Sequence, residues 1–511
     1  MASEALREEA PVAAAPRQAG MIEGGLDAIV VGATFDGLAA AALLGKAGLK
    51  TVLLAGGDAS SERAPREFAP GYFCADGEHL IDGLDPELIA ALDLYRHGLA
   101  FAARRLETVY YFADSGALLT DGDLYRTRDA VAAMSEDDGA AFAAFSEAAL
   151  EAARALRPMF EGGEAPAVPG ALVDRFLHGS VEETLDGLFA DDHLKEMLAA
   201  EAALRSAARP TDPFGFLALI RRWSGEAAGL QGAVAYPEGG AAGVNKAMRR
   251  AAQAAKVDFR LAVTATRVLV EWDSVAGVET EGGGQIRAPI IVNALPAARA
   301  FTEMIGPSLI DIEFQANLSA PAPQVGFVRA HLALEGAPGD ERTRGNLARR
   351  LVYAPSRLEL RRAYAAARAG WPDGAAGPVI METIFPSAFE KGLAPEGGCV
   401  ASALLHPAPY REMLDDAWFK AVEDATRATF ERLAPGSADR IVAIDIAAPE
   451  PAAPPALAAW TRARALSGAS GVKGYYFCGP EAQIGHGFIG AAGRRAAQSA
   501  IRFSKGKAAA A

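Results

Sequence analysis

"VVGATFDGLAAAALLGKAGLKTVLLAGGD", Val30 to Asp58, decides how this chain folds. Ala28–Val31 and Thr51–Leu54 are short, apolar, largely β-branched runs, as expected of strands buried on both faces. Between them, Gly32 to Gly37 spells a turn, and "GLAAAALLGKAG" reads as a small-residue helix stopped by Gly48. Strand, helix, strand at this spacing implies a right-handed crossover and parallel pairing. Such a unit can hold a dinucleotide if three conditions are met. The chain must turn tightly out of the first strand, main-chain N–H groups at the helix start must meet the pyrophosphate, and an acid at the end of the second strand must grip a ribose. Gly32 and Gly37 meet the first condition and allow close helix–strand packing. Thr34 stands where a bare glycine normally lets phosphate approach, although its hydroxyl could bond phosphate instead. Ala55 stands where the acid should be, and Asp58 lies three residues too late. The missing charge-assisted hydrogen bonds would each contribute roughly 1.5–3 kcal/mol. A glycine turn alone is equally well read as a packing turn with no ligand.

Further along, Pro86–Leu94 reads as a short helix capped by Asp85. Asp129 to about Arg157 reads as one long Ala-rich helical stretch, and Val181–Trp223 as two or three helices broken near "ARPTDPFG". A helix at Gly243–Ala255 precedes three strands, Ala265–Trp272, Ala276–Thr280 and Gln285–Ala288, and the buried strand of "IIVNALP". Residues 324–334, 379–384 and 398–405 read as strands of a second sheet, and Asp415–Leu433 as an amphipathic helix. "PEPAAPPA", from Pro449 to Ala456, is a stiff connector, and the chain closes with a strand, a glycine-rich loop and a helix. Residues 1–25 read as a disordered tail with no signal or transit pattern.

The chain has 511 residues, too many for one compact core, and 51% are apolar. Its formal charge of −14 leaves no basic field for nucleic acid. No apolar run reaches the length of a membrane span. Cys74, Cys399 and Cys478 form no CxxC, which points to buried thiols in a reducing, cytoplasmic setting rather than disulfides or zinc. His79, His97, His178, His193, His331 and His406 lack metal-ligand spacing, so no metal site is expected. Arg494 and Arg495 read as exposed charge, Cys478 as packing, and "SEDDG" at 135–139 as a helix-turn signal or solvated face.

Several separated blocks carry a resemblance. The opening "DAIVVGATFDGLAAAALLGKAGLKTVLL" and the segment "FAPGYFCADGEHLIDGLDPELIAALDLYRHGL" are followed by "PEGG", "VAGVET" and "VNALP". "LAPEGGCVASALLHPAPY" and the closing "YYFCGPEAQIGHGFIGAAGRRAAQSAI" complete the set. In this order they resemble phytoene-desaturase-like FAD-dependent oxidoreductases, nearest the branch of pyridine nucleotide-disulfide oxidoreductase domain-containing protein 2. The resemblance covers most of the chain after residue 26.

It implies an α/β fold: a glutathione-reductase-type Rossmann FAD domain built from discontinuous segments, with an inserted α+β substrate domain. The expected partition is 26–125, 230–305 and 470–505 for the first, and 126–229 and 306–469 for the second. It implies FAD as cofactor and redox chemistry on an apolar or lipid-like small molecule, with hydride passing to the flavin, so that no nucleophile or acid–base constellation is needed. Carried over position by position, Gly32, Ala33, Thr34, Phe35, Asp36 and Gly37 form the phosphate turn. Ala55 takes the ribose position, Ala265 the adenine-facing backbone position, and Gly479, Gly487, Phe488, Ile489 and Gly490 the C-terminal flavin contact. Gly485 belongs to the same glycine pattern, and Gly490 would open a helix toward the flavin end. The family's paired glycines are replaced near Ser61 and Glu62, where Arg63 or Arg66 would offset the carboxylate. His486 replaces a family glycine, and a loop histidine there is more often solvated or packed than functional. Thr34, Ala55 and the lost glycine pair all weaken the hold on one ligand. They keep open a second class, a flavin-free scaffold or assembly partner. A nicotinamide site has no second glycine motif to support it, and peripheral membrane contact stays open.

Overall fold

The computed structural model describes residues 22–56, 65–121, 124–163, 170–310, 312–318, 324–372, 379–410, 414–453, 471–483 and 488–510. At its centre is a five-stranded, wholly parallel sheet. Its strands are β1 (Ala28–Val31), β2 (Thr51–Leu54), β3 (Asp258–Arg260), β4 (Ile291–Asn293) and β5 (Tyr475–Phe477). They lie in the order β3-β2-β1-β4-β5, that of a doubly wound nucleotide-binding sheet. Helix α1 (Phe35–Lys46) joins β1 to β2, and α2 (Ala491–Ala510) follows β5 and crosses against α1. β1 and β2 are buried on both faces, which is why they read as unbroken apolar runs. The antiparallel meander Ala265–Glu271, Ser274–Thr280 and Gln285–Arg287 flanks the sheet.

The second sheet has eight strands. Along its main path lie Ile441–Ile446, Val325–Leu334, Cys399–Pro409, Ile380–Ile384, Arg350–Ala354, Thr108–Phe112 and Ala117–Thr120. One face packs on helices through Phe142, Phe145, Phe176 and Phe216, and the other on the helix Asp416–Leu433 through Trp418 and Phe430.

Several expectations change. Thr108–Phe112 and Ala117–Thr120 fall in the stretch assigned to the first domain, yet they pair into the second sheet, Thr108–Phe112 running parallel to Arg350–Ala354. The 1–25 tail is not wholly unstructured, because Ile22–Glu23 pairs in parallel with Gln285–Ile286. The long helical stretch is two helices, Leu124–Ala132 and Glu136–Phe160, because the Ser135 hydroxyl caps the second by accepting from the Asp138 N–H. Asp138 itself is not solvated, being buried and accepting from the Ala190 and Asp191 N–H groups at 2.9 and 2.7 Å. Within the proline-rich connector, Glu450–Pro451 pairs with Val325–Leu334, and the part from residue 454 lies outside the described residues. Among the described residues no helix is long and apolar enough to cross a membrane.

Candidate functional site

In a doubly wound sheet, ligands bind beyond the C-terminal strand ends where the strand order reverses, here between β1 and β4. At that point Gly32 turns the chain at φ +100°, a conformation that disfavours any side chain. A Cβ on Gly37 would lie 2.0 Å from the Gly32 carbonyl oxygen and 3.1 Å from the Ala294 Cβ, so α1 sits as close to the sheet as a glycine permits. Thr34 is the N-cap of α1 and its Oγ1 accepts the Gly37 N–H at 3.2 Å. The threonine thus supplies from within the chain part of what a phosphate would supply at a helix start.

Asp36 turns away from the turn toward α2. Its carboxylate accepts from the Gly493 N–H at 2.8 Å and from the Gln483 side-chain amide at 3.3 Å. Burial pushes the Asp36 carboxyl up to about 7, against the opposing pull of the Gly493 N–H and the Arg495 guanidinium. Arg495 donates to the Ala482 carbonyl, and Arg494 pairs with Asp85 and, at 2.6 Å, with Glu87. These two arginines are therefore structural, not free surface charge. Gln483 also accepts the Phe488 N–H at 2.7 Å, and Ile489 exchanges backbone hydrogen bonds with Gly83 and Asp85. Gly490 has φ +86°, and a Cβ there would strike Leu88 Cδ2 at 2.1 Å. A Cβ on Gly479 would meet the Leu295 carbonyl at 2.2 Å. Gly32, Ala33, Thr34, Phe35 and Gly37 thus share one end of the site with the start of α2.

The other end differs. Ala55 is 2% exposed and its N–H donates to the Arg260 carbonyl. A Cβ on the next residue, Gly56, would fall 2.0 Å from Thr264 Oγ1. Ala265 is also buried. Ala55 and Ala265 offer methyl groups and no charge at this end. Arg63, Ser61, Glu62, Gly485, His486 and Gly487 lie outside the described residues. The turn and the helix starts would suit the pyrophosphate of an FAD, whereas a ribose at the end of β2 would find no carboxylate at Ala55.

Residues scattered over the sequence form a buried chain of charges that spacing does not reveal. Arg350 bonds Glu201 and Glu382, both at 2.6 Å. Glu382 meets Arg205 at 3.5 Å, and Glu78 joins Arg205 and Arg329 at 2.9 and 2.7 Å. Arg222 also pairs with Glu201. Burial pushes Glu201 up, but Arg222 and Arg350 outweigh it and hold the carboxyl down at about 2. Glu201, Arg222 and Arg350, at one end of this chain, line a cavity of about 280 Å³. Leu106, Phe142, Leu150, Met197, Leu198 and Trp223 supply much of the remaining lining. The three cysteines are free and buried, as their isolation suggests. Although their spacing in the sequence suggests no metal site, Cys74, His79 and His331 converge in space.

No protein-family model matches the chain. It is 25% identical over 551 aligned positions to pyridine nucleotide-disulfide oxidoreductase domain-containing protein 2 of Rattus norvegicus, covering 94% of each chain. Its fold is shared by an oxidoreductase from Methanosarcina mazei, with TM-score 0.63, 14% identity and coverage of 93% of this chain and 100% of the other. A putrescine oxidase bound to putrescine matches with TM-score 0.61 and 16% identity, over 95% and 100% of the two chains. A Rab GDI from Plasmodium falciparum matches with TM-score 0.52 and 12% identity, over 95% and 98%. The architecture is therefore common to oxidases and to a protein not named as one, and chemistry has to be argued from the site.

Proposed function

We propose that the protein is an FAD-dependent oxidoreductase of the phytoene-desaturase-like kind, with an apolar substrate and a loosely held cofactor. The observation that carries this reading is the Gly32 turn at the strand-order reversal, leading straight into the start of α1. Gly32 to Gly37 would hold the pyrophosphate through backbone N–H groups, and Phe488 to Gly490 with the start of α2 would face the flavin end. When bound, FAD would supply two-electron oxidation of a substrate C–H bond. The chain's own part is to position the substrate and exclude water. The apolar wall of the 280 Å³ cavity suits a hydrocarbon body, and Arg222 and Arg350 suit a polar or anionic end. Two arginines against Glu201 disfavour an ammonium group there, so the putrescine of the structural neighbour is not carried over.

A second reading, a flavin-free chain that serves as a scaffold or assembly partner, is favoured by the burial of Ala55 and the close packing of Gly56 on Thr264. Titrating the purified chain with FAD separates the two. Saturable uptake at one per chain supports the enzyme, and no uptake at high micromolar FAD supports the scaffold.

A further inference from the structure

Cys74 ends the short strand Tyr72–Cys74, His79 follows in the same excursion, and His331 lies on Val325–Leu334 of the second sheet. Cys74 and His331 are 257 residues apart in sequence. Cys74 Sγ lies 3.4 Å from His79 Nε2 and 3.3 Å from His331 Nδ1, and all three side chains are buried. The three ligand atoms lie within 4.8 Å of one another. A tetrahedral zinc ion with sulfur at about 2.3 Å and nitrogen at about 2.0–2.1 Å requires sulfur–nitrogen separations of about 3.6 Å. The observed edges are therefore within a few tenths of an ångström of coordination geometry.

We propose that Cys74, His79 and His331 form a zinc site, with water in the fourth position. Soft sulfur and two imidazole nitrogens select zinc over magnesium or calcium. As the Zn–S bond forms, the Cys74 thiol releases its proton to solvent, and both electrons of the S–H bond remain on sulfur. The surroundings match those of ligating histidines. The His79 ring hydrogen-bonds the backbone of Ala75, and Asp76 and Asp445 lie within reach of His331. Arg66 bonds both of these carboxylates, and Arg329, itself paired with Glu78, is the nearby cation that the thiolate has to offset. The ion would clamp the excursion that carries Cys74 and His79 onto the second sheet. Flavin binding is not required for any of this.

The test is to strip the purified full-length chain with chelator, dialyse it, and titrate zinc against a chromogenic competitor. One tightly bound zinc per chain is expected, weakened at least tenfold by Cys74→Ser and unchanged by Cys399→Ser. Cobalt loading of the wild-type chain covers the case in which Cys74→Ser does not fold, and a near-ultraviolet thiolate-to-cobalt band is expected. Absence of zinc uptake, uptake that survives Cys74→Ser, or a cobalt spectrum without that band would each overturn the assignment.

Discussion

The two ends of the nucleotide groove obey different constraints. At the β1–α1 turn the fold alone requires both glycines: Gly32 has φ +100°, and the Gly32 carbonyl and Ala294 leave no room for a Cβ on Gly37. At the end of β2, an acid would serve only the ligand, and the chain has Ala55. A glycine motif can therefore outlast the cofactor it once served, whereas a ribose carboxylate has no other reason to stay. The turn testifies to the fold, and the strand end testifies to how tightly a cofactor is held.

The contrast can be broken most forcefully at the turn. Gly37→Ala should cost roughly 3 kcal/mol or more through collision with backbone, and thermal denaturation should show it with or without FAD. A near-neutral outcome would mean that packing does not hold the motif. At the other end, Ala55→Glu should destabilise the FAD-free chain by about 2 kcal/mol, seen as a lower melting temperature, because a carboxylate is buried. Under the oxidoreductase reading the same change should tighten FAD binding about tenfold or more, as one charge-assisted hydrogen bond is gained. Destabilisation that added FAD does not relieve would favour the scaffold.

Asp36 gives a pH handle on the junction between α1 and α2. Its folded value of about 7 lies above the ordinary 3.8, so the folded chain keeps this proton where the unfolded chain has lost it. The resulting stability is full below about pH 4 and is lost as pH rises through 7. Asp36→Asn should therefore gain on the wild type between pH 5 and pH 8, by roughly 2 kcal/mol given partial exposure. A pH-independent difference in melting temperature would remove Asp36 as the titrating group. The smallest effect belongs to the cap: Thr34→Ala should cost about 1 kcal/mol and Thr34→Gly only a few tenths. Thr34→Gly should also raise FAD affinity if the threonine competes with phosphate.

How much of this was legible in the sequence depended on range. Ala28–Val31 and Thr51–Leu54 were readable because burial on both faces writes itself as a continuous apolar run. The cap of Pro86–Leu92 was readable because Asp85 accepts from Glu87 two residues away. The place of Thr108–Phe112 in the second sheet is not legible locally, because its partner, Arg350–Ala354, is remote and no local pattern names it. The Glu201–Arg350–Glu382 chain and the Cys74–His79–His331 cluster were invisible for the same reason. Arg494 and Arg495 looked exposed because a helix face reveals its charge but not the acids packed against it.

The absorbance spectrum of freshly purified protein, before and after FAD is added and the excess removed, tests the central claim most directly. Flavin bands that are substoichiometric at first and rise to one FAD per chain on addition are expected. A spectrum with only the protein band after FAD treatment would contradict it and leave the glycine turn as packing alone.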